Sequence, residues 1–490
     1  MIVDKDLQSI QEVRNYLQEA KEAQKLLERM SQSQIDKIVE SMMVAACEEA
    51  PRLASMAVEE TGFGNVADKT EKNLFAAKNV YEAIKDMKTV GIIRKDEEKK
   101  VWEVAQPVGV VAGIVPSTNP TSTVIFKSLI AIKARNAIVF SPHPSAAHCT
   151  LEAARLLQIA AERGGAPKGL IHCITQPTLA ATNELMKHKL TDVILATGGT
   201  AMVKAAYSSG KPAFGVGPGN VPVYIHPSAN LSEAVRHILS SKTFDYGTIC
   251  ASEQAIIADQ AIKDQVIAEL KRQGAYFLNR SEKEKVGAIL MVNGSLNAKI
   301  VGKSPQAIAE MAGISVPQEV KVLVAEETGV GKEYPFSVEK LSTILAFYTV
   351  QDWKEGCELS IRLLELGGLG HTLGIHSNDE QVIEAFAVEK PASRIVVNSG
   401  TTFGGIGATT GIQPSLTLGC GSFGNNVTSD NIGPQHLLNI KRVAFGIREM
   451  QRIDEKTNMK HPPVATQEQP LISRDEVMEI IKNVLAELKT

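Results

Sequence analysis

Three short stretches carry residue types that can do chemistry. In "FDYGTICASEQAII" (244–257), polar and glycine residues lead up to Cys250 and small apolar residues follow it. A thiol placed so is either a small core group or a nucleophile held out of the core. In "GIVPSTNPTST", Asn119 stands between prolines just past an apolar run. It is either a turn-former or a fixed amide donor that no strand ladder absorbs. In "TDVILATGGTAMVKAA", Thr197, Gly198, Gly199 and Thr200 separate a buried-strand pattern from a helical one. Glycines there let a ligand approach the backbone, and a helix N-terminus offers free N–H groups to a phosphate. The full GxGxxG is absent, so this turn by itself names no ligand.

The elements that must position these residues follow an α/β rhythm. Residues 4–88 read as amphipathic helices, with stripes at Leu7, Ile10, Val13 and Leu17 and at Ile35, Ile38, Met42 and Ala45. "VGIIRKDEEKKVWEVAQPVG" reads as a hairpin. From 108 onward, apolar runs such as "GVVAGIVP", "NAIVFSP", "GLIHCIT" and "TDVILATGG" alternate with helical stretches. That pattern implies a parallel, doubly wound sheet, whose ligands bind beyond the carboxyl ends of the strands. A second such series begins near 230 and ends at a glycine-rich loop after 400, before the strand-like "NIKRVAFGI".

The chain has 490 residues, 44% hydrophobic and 22% charged, too long for a single core. A net charge of −3 creates no field to gather nucleic acid or anionic lipid. The six cysteines are scattered without metal-ligand spacing, which suits a reducing, cytoplasmic compartment and predicts no metal. Cys47, Cys149 and Cys173 sit in apolar patterns and read as core groups, whereas Cys420 lies in the glycine-rich loop. No run is long and apolar enough to span a membrane.

The last forty residues differ in texture. "KTNMKHPPVATQEQP" reads as a flexible linker. After it, Ser473 and Glu476 form a capping-box pattern, and Val477, Ile480, Ile481, Val484, Leu485 and Leu488 make one apolar stripe. A helix this short needs a surface to cover that stripe, either its own body or another protein.

Taken in order, "GIVPSTNP", "ATGG", "GVGPGNVPVYI", "TFDYGTICASEQ", "VEKLSTILAFY" and "GLGHTLGIHS" resemble the aldehyde dehydrogenase superfamily over residues 5–450, specifically its CoA-acylating branch. The resemblance implies two doubly wound α/β domains plus a small β oligomerisation element. These are a nucleotide-binding domain over 1–228, with the hairpin 90–106 given to oligomerisation, a catalytic domain over 229–425, and an oligomerisation strand region over 426–452. A linker over 453–470 and the helix over 471–490 complete the chain, as a dimer or tetramer.

By the same resemblance Cys250 is the nucleophile and Asn119 half of an oxyanion hole. His371 either assists thiol deprotonation or is structural. The cofactor is NAD rather than NADP, held around Pro116, Ser117, Thr118, Thr197, Gly198, Gly199, Thr200, Gly215, Val216, Gly217 and Leu341, with Glu339 on the nicotinamide ribose. Ser141 and His143 stand where hydrolytic members keep a lysine and its neighbourhood.

Hydrolytic members also carry a glutamate where this chain has Gly215, with no acid anywhere in "KPAFGVGPGNVPVYI". Water, with a pKa of about 15.7, needs such a base, whereas a thiol with a pKa of about 8.5 is already partly ionised at neutral pH. Losing the glutamate therefore favours a thiol acceptor, coenzyme A, and an acyl-CoA product. Acetaldehyde, propionaldehyde and a four-carbon semialdehyde remain open as substrates. A hydrolytic enzyme with its base elsewhere and an inactive scaffold are the alternatives. The tail resembles the encapsulation peptides of bacterial microcompartment enzymes, which implies a shell protein as partner and a lumenal location.

Overall fold

The β-branched run Val110–Ile114 is buried at every position, and such strands need cover on both faces. In the computed structural model, which describes residues 4–292, 294–450 and 473–487, this strand is the centre of a five-stranded parallel sheet. From one edge to the other the strands are Ile171–Cys173, Ala137–Ser141, Val110–Ile114, Val193–Thr197 and Ala213–Val216.

Helices Pro120–Lys133 and Ala147–Arg163 link its strands, and helices Lys5–Leu27 and Gln32–Glu48 add Val13, Leu17, Ile35, Ile38 and Met42 to the same core. Leu7, expected on the first stripe, is exposed. The inward face continues through Ser9, four residues before Val13, whose hydroxyl lies 2.9 Å from that of Thr178. A polar group that completes an apolar face is invisible to hydrophobic periodicity.

The second sheet has seven parallel strands in the order Ala275–Phe277, Val322–Glu326, Ile344–Val350, Glu253–Asp259, Val221–Ile225, Gly370–His376 and Ala392–Val397. Its strands alternate between two cores, as a pleat demands. Val223, Ile225, Ile256 and Phe347 fill one, while Tyr224, Ile257, Ala346 and Tyr348 fill the other. Val221–Ile225 joins this sheet, so residues 217–220 lie between the last strand of the first sheet and the first strand of the second. Pro218 and the flanking glycines end the first sheet there.

The hairpin Gly91–Asp96 and Val101–Pro107 is antiparallel as expected, and Leu438–Ala444 extends it to three strands. Among the described residues, 4–97 and 101–443 form one compact body, while 98–100, 444–450 and 473–487 form a second, small unit. In that unit Arg474–Glu487 is helical. Ser473 Oγ accepts from the Glu476 amide at 3.3 Å, and Glu476 returns the contact to the Ser473 amide at 2.8 Å, the reciprocal cap read from sequence. Val477, Ile480, Ile481 and Val484 are exposed along it. The linker expected over 453–470, and Leu488, lie outside the described residues, as does the side chain of Leu485. Among the described residues no helix is long and apolar enough to cross a membrane.

Candidate active site

Helix Leu231–Thr243 runs into two consecutive left-handed residues, Asp245 (φ 47°) and Tyr246 (φ 52°). Such backbone costs non-glycine residues about 1–3 kcal/mol each and persists only where surroundings over-determine it. Here they do. The buried Asp245 carboxylate accepts from Lys69 Nζ at 2.9 Å, from Lys72 Nζ, from the Thr248 hydroxyl at 2.6 Å and from the Asn65 amide at 2.9 Å. Its own amide donates to Asp68 Oδ2 at 2.7 Å.

Burial raises the Asp245 carboxyl, but Lys72 and Lys69 outweigh that and hold it below the usual range. Burial lowers the Lys72 ammonium to about 8 against the pull of Asp245. Gly64 makes this approach possible, since a Cβ on it would stand 1.8 Å from Asp245 Oδ1.

The same cluster aims Asn119. Lys72 Nζ donates to Asn119 Oδ1 and, at 3.1 Å, to Thr248 Oγ1. An ammonium only donates, so the amide oxygen must face it and Nδ2 must face the cysteine loop. Asn119 Nδ2 accordingly donates to the Thr248 carbonyl at 3.2 Å, two residues before Cys250. Asn119 is also the first cap of helix Pro120–Lys133, so its backbone is anchored at the end of the central strand of the first sheet.

Cys250 itself is half-buried, its sulfur 3.2 Å from His371 Nε2. Burial pushes the thiol up to about 12, with Glu339 and Cys420 adding to the push and Arg394 opposing it. Burial, and then Arg394, lowers His371 to about 3. The pair is therefore neutral at pH 7, a thiol beside an uncharged imidazole. Glu339 accepts from the Gly219 amide at 2.8 Å. Burial raises its carboxyl to about 7, although that amide, Lys242 and Lys340 pull it down. Gly219 has no room for a side chain, because a Cβ would lie 2.3 Å from the Cys250 carbonyl oxygen.

The remaining expected residues lie at the carboxyl ends of the first sheet's strands, except Leu341, which precedes strand Ile344–Val350 of the second. Thr197 closes strand Val193–Thr197, and its hydroxyl is buried with no partner among the described residues. Gly198 donates to the Val216 carbonyl at 3.4 Å, and nothing lies within 4 Å of a Cβ built on Gly199 or Gly217. Helix Thr200–Tyr207 follows without a side-chain cap. Pro116, Ser117 and Thr118 form a half-exposed loop whose Thr118 carbonyl accepts from Lys69 at 3.0 Å. Leu341 adopts φ 43° beside Glu339.

Two expected residues are turned to local work. The Ser141 hydroxyl is buried 2.8 Å from that of Thr182, and His143 Nδ1 accepts from the Ser145 amide at 3.2 Å. Between the two sheets runs a cleft of about 720 Å³ bordered by Thr200, Tyr207, Gly217, Gly368, Cys420 and Asn426. Of the cysteines read as core, Cys149 and Cys173 are buried and Cys47 is half-buried.

Gly215 faces away from open space. A Cβ there would meet Val203 Cγ1 at 2.8 Å and the Tyr207 ring at 2.9 Å, and the Gly215 amide donates to the Tyr207 hydroxyl at 3.0 Å. Sequence reasoning passed over Lys69, Lys72, Asp245, Gly219, Thr372 and Arg394. The one available signal was Lys69 and Lys72 three apart on a short helix, a spacing shared by every solvated charged face.

Fold, motif order and the paired sheets thus agree with one another, and the chain belongs to the aldehyde dehydrogenase family, whose family model matches residues 2–317. It is 45% identical over 441 residues to the bifunctional aldehyde-alcohol dehydrogenase of Escherichia coli (strain K12), covering 89% of this chain and 50% of that one. The chain therefore spans about half the length of that relative. A solved acetylating aldehyde dehydrogenase from Geobacillus thermoglucosidasius is 76% identical with a TM-score of 0.91, covering 92% of this chain and 100% of that one. A propionaldehyde dehydrogenase from the fucose utilisation bacterial microcompartment of Clostridium phytofermentans is 28% identical with a TM-score of 0.80, covering 88% of this chain and 97% of that one.

Replacing Lys72 by Met leaves Asp245, Asn119 Oδ1 and Thr248 Oγ1 each one bond short. Stability is expected to fall by about 1–3 kcal/mol, read by urea unfolding. Gly215→Glu is expected to cost about 1–3 kcal/mol by overpacking against Tyr207. Urea unfolding of the variant reads that loss.

Proposed function

We propose that this protein oxidises a short aliphatic aldehyde with NAD and coenzyme A, giving acyl-CoA through a thioester on Cys250. The observation that carries this reading is the Cys250–Asn119 arrangement, together with a position 215 too tightly packed to hold a carboxylate. The similarity to acetylating relatives supports it.

The cofactor side fits a dinucleotide. The unpartnered Thr197 hydroxyl, the open Gly199 and the uncapped start of helix Thr200–Tyr207 are suited to a phosphate at a helix N-terminus. Glu339 would hold the nicotinamide ribose. A bound nicotinamide supplies the hydride acceptor. The Cys250 proton passes to solvent, the thiolate adds to the aldehyde carbon, and the alkoxide that forms is met by Asn119 Nδ2 and the Cys250 amide. Loss of hydride leaves an acyl thioester on Cys250. The thiolate of coenzyme A then attacks that carbonyl, the bond to Sγ breaks, and Cys250 leaves as thiolate.

Glu339 gives a second reading its footing. A carboxyl near neutrality that acts electrostatically on Cys250 is a candidate base for water, as a hydrolytic enzyme would need. Its contact with the Gly219 amide favours a binding role instead. NADH formation decides between them. Turnover of acetaldehyde or propionaldehyde is expected only with CoA present, and strong turnover without CoA would overturn the acylating reading. Asn119→Ala is expected to lower kcat by about 10²–10³, and Cys250→Ala to abolish NADH formation.

The three-stranded sheet presents an exposed edge at Leu438–Ala444, and we read it as the contact that pairs subunits. The capped helix with its exposed apolar face, together with the microcompartment origin of a structural neighbour, supports 471–490 as a tag for a shell protein and the compartment lumen as location. Residues 460–490 fused to a soluble reporter are expected to concentrate it in shells of a shell-producing host. A diffuse reporter would remove that assignment.

A further inference from the structure

The register of strands Gly370–His376 and Ala392–Val397 sets Thr372 directly beside Arg394. Both are buried, at 0% and 3% exposure. Arg394 Nε donates to Thr372 Oγ1 at 3.3 Å, and its Nη2 donates to the His371 carbonyl at 2.9 Å. Its Nη1 is spent on the Ser429 carbonyl at 3.2 Å and Asn431 Oδ1 at 3.4 Å. The one other group within hydrogen-bond reach of Thr372 Oγ1 among the described residues is His371 Nδ1, at 2.9 Å.

A buried hydroxyl proton needs an acceptor, and a guanidinium offers none. The Thr372 proton therefore goes to His371 Nδ1, which leaves the imidazole proton on Nε2, 3.2 Å from the Cys250 sulfur. The ring is closely held as well, since a Cβ on Gly219 would stand 3.1 Å from Cγ and 3.2 Å from Nδ1 of His371.

We propose that Arg394 and Thr372 are positioning residues that fix His371 in its Nε2-protonated form, making it a hydrogen-bond donor to the Cys250 sulfur. This rests on the acylating reading for its use. The sulfur is negative twice in that cycle: when it attacks the aldehyde, and when it leaves as coenzyme A thiolate takes the acyl group. At both points the electron pair on sulfur is met by the same N–H. The other ionisable groups facing Cys250 are Glu339 and Cys420, which oppose thiolate formation, and Arg394, which favours it.

The test needs neither NAD nor CoA. In protein carrying ¹⁵N-histidine, the His371 signals, assigned by their loss in His371→Asn, are expected to place the proton on Nε2. Alkylation of Cys250 by iodoacetamide, followed by mass spectrometry across pH, is expected to shift upward by about one pH unit in Thr372→Val, hence about tenfold slower at neutral pH. Thr372→Ser, which keeps the hydroxyl, should restore the wild-type profile. A proton on Nδ1, an unshifted Thr372→Val profile, or a Thr372→Ser variant as slow as Thr372→Val would overturn the proposal. If Thr372→Val does not fold, the wild-type spectrum and the serine variant still decide. A wild-type protein that makes no CoA-dependent NADH would instead count against the acylating reading and leave the tautomer result standing.

Discussion

One buried ion cluster holds this site together. Lys69 and Lys72 converge on Asp245, and through that carboxylate they stabilise two left-handed residues that redirect the chain toward Cys250. The arrangement leaves no member free to move alone. Two ammonium groups and a carboxylate out of water are tolerable only while their remaining bonds are made, so the loss of one partner exposes the desolvation cost of the others. Lys72 joins that cluster to Asn119, which couples the loop carrying Cys250 to the amide that faces it.

The site uses the two sheets at opposite ends. The first sheet contributes the carboxyl ends of its strands, as doubly wound sheets generally do, through Thr197 to Gly199 and through Asn119. The second contributes its amino ends, since Cys250 precedes strand Glu253–Asp259 and His371 lies at the start of Gly370–His376. The carboxyl-end rule applied to the second series would point to the wrong edge. The crossing at 217–220 joins the two, and Gly219 allows the backbone to pass between the Cys250 carbonyl and the His371 ring.

Electrostatically the resting site is quiet. Burial keeps the thiol protonated and the imidazole uncharged, so nothing in it resembles a preformed thiolate–imidazolium pair. In the proposed reaction charge would develop on sulfur only as the aldehyde is attacked, and donors already in place would stabilise it without reorganisation.

Much of this was legible in the chain itself. The α/β rhythm, the 91–107 hairpin, the capping box at Ser473 and the spacing of Cys250, Asn119 and the Thr197–Gly199 turn all follow from local pattern, because helices, strands and tight turns answer to residues a few places apart. Gly215 was noted for lacking an acid, but the reason, the Tyr207 ring packed over it, lies in tertiary contact. The Ser141 hydroxyl meets Thr182, forty-one residues on, whereas His143 Nδ1 meets Ser145, two residues on. Lys69, Lys72, Thr372 and Arg394 were silent because a charged or hydroxyl residue acquires meaning only from what burial places beside it. Local sequence determined which segments could present a nucleophile, an amide and a phosphate turn. Folding alone decided which buried charges aim them, because those partners lie far apart in the chain and meet only when water is excluded between them.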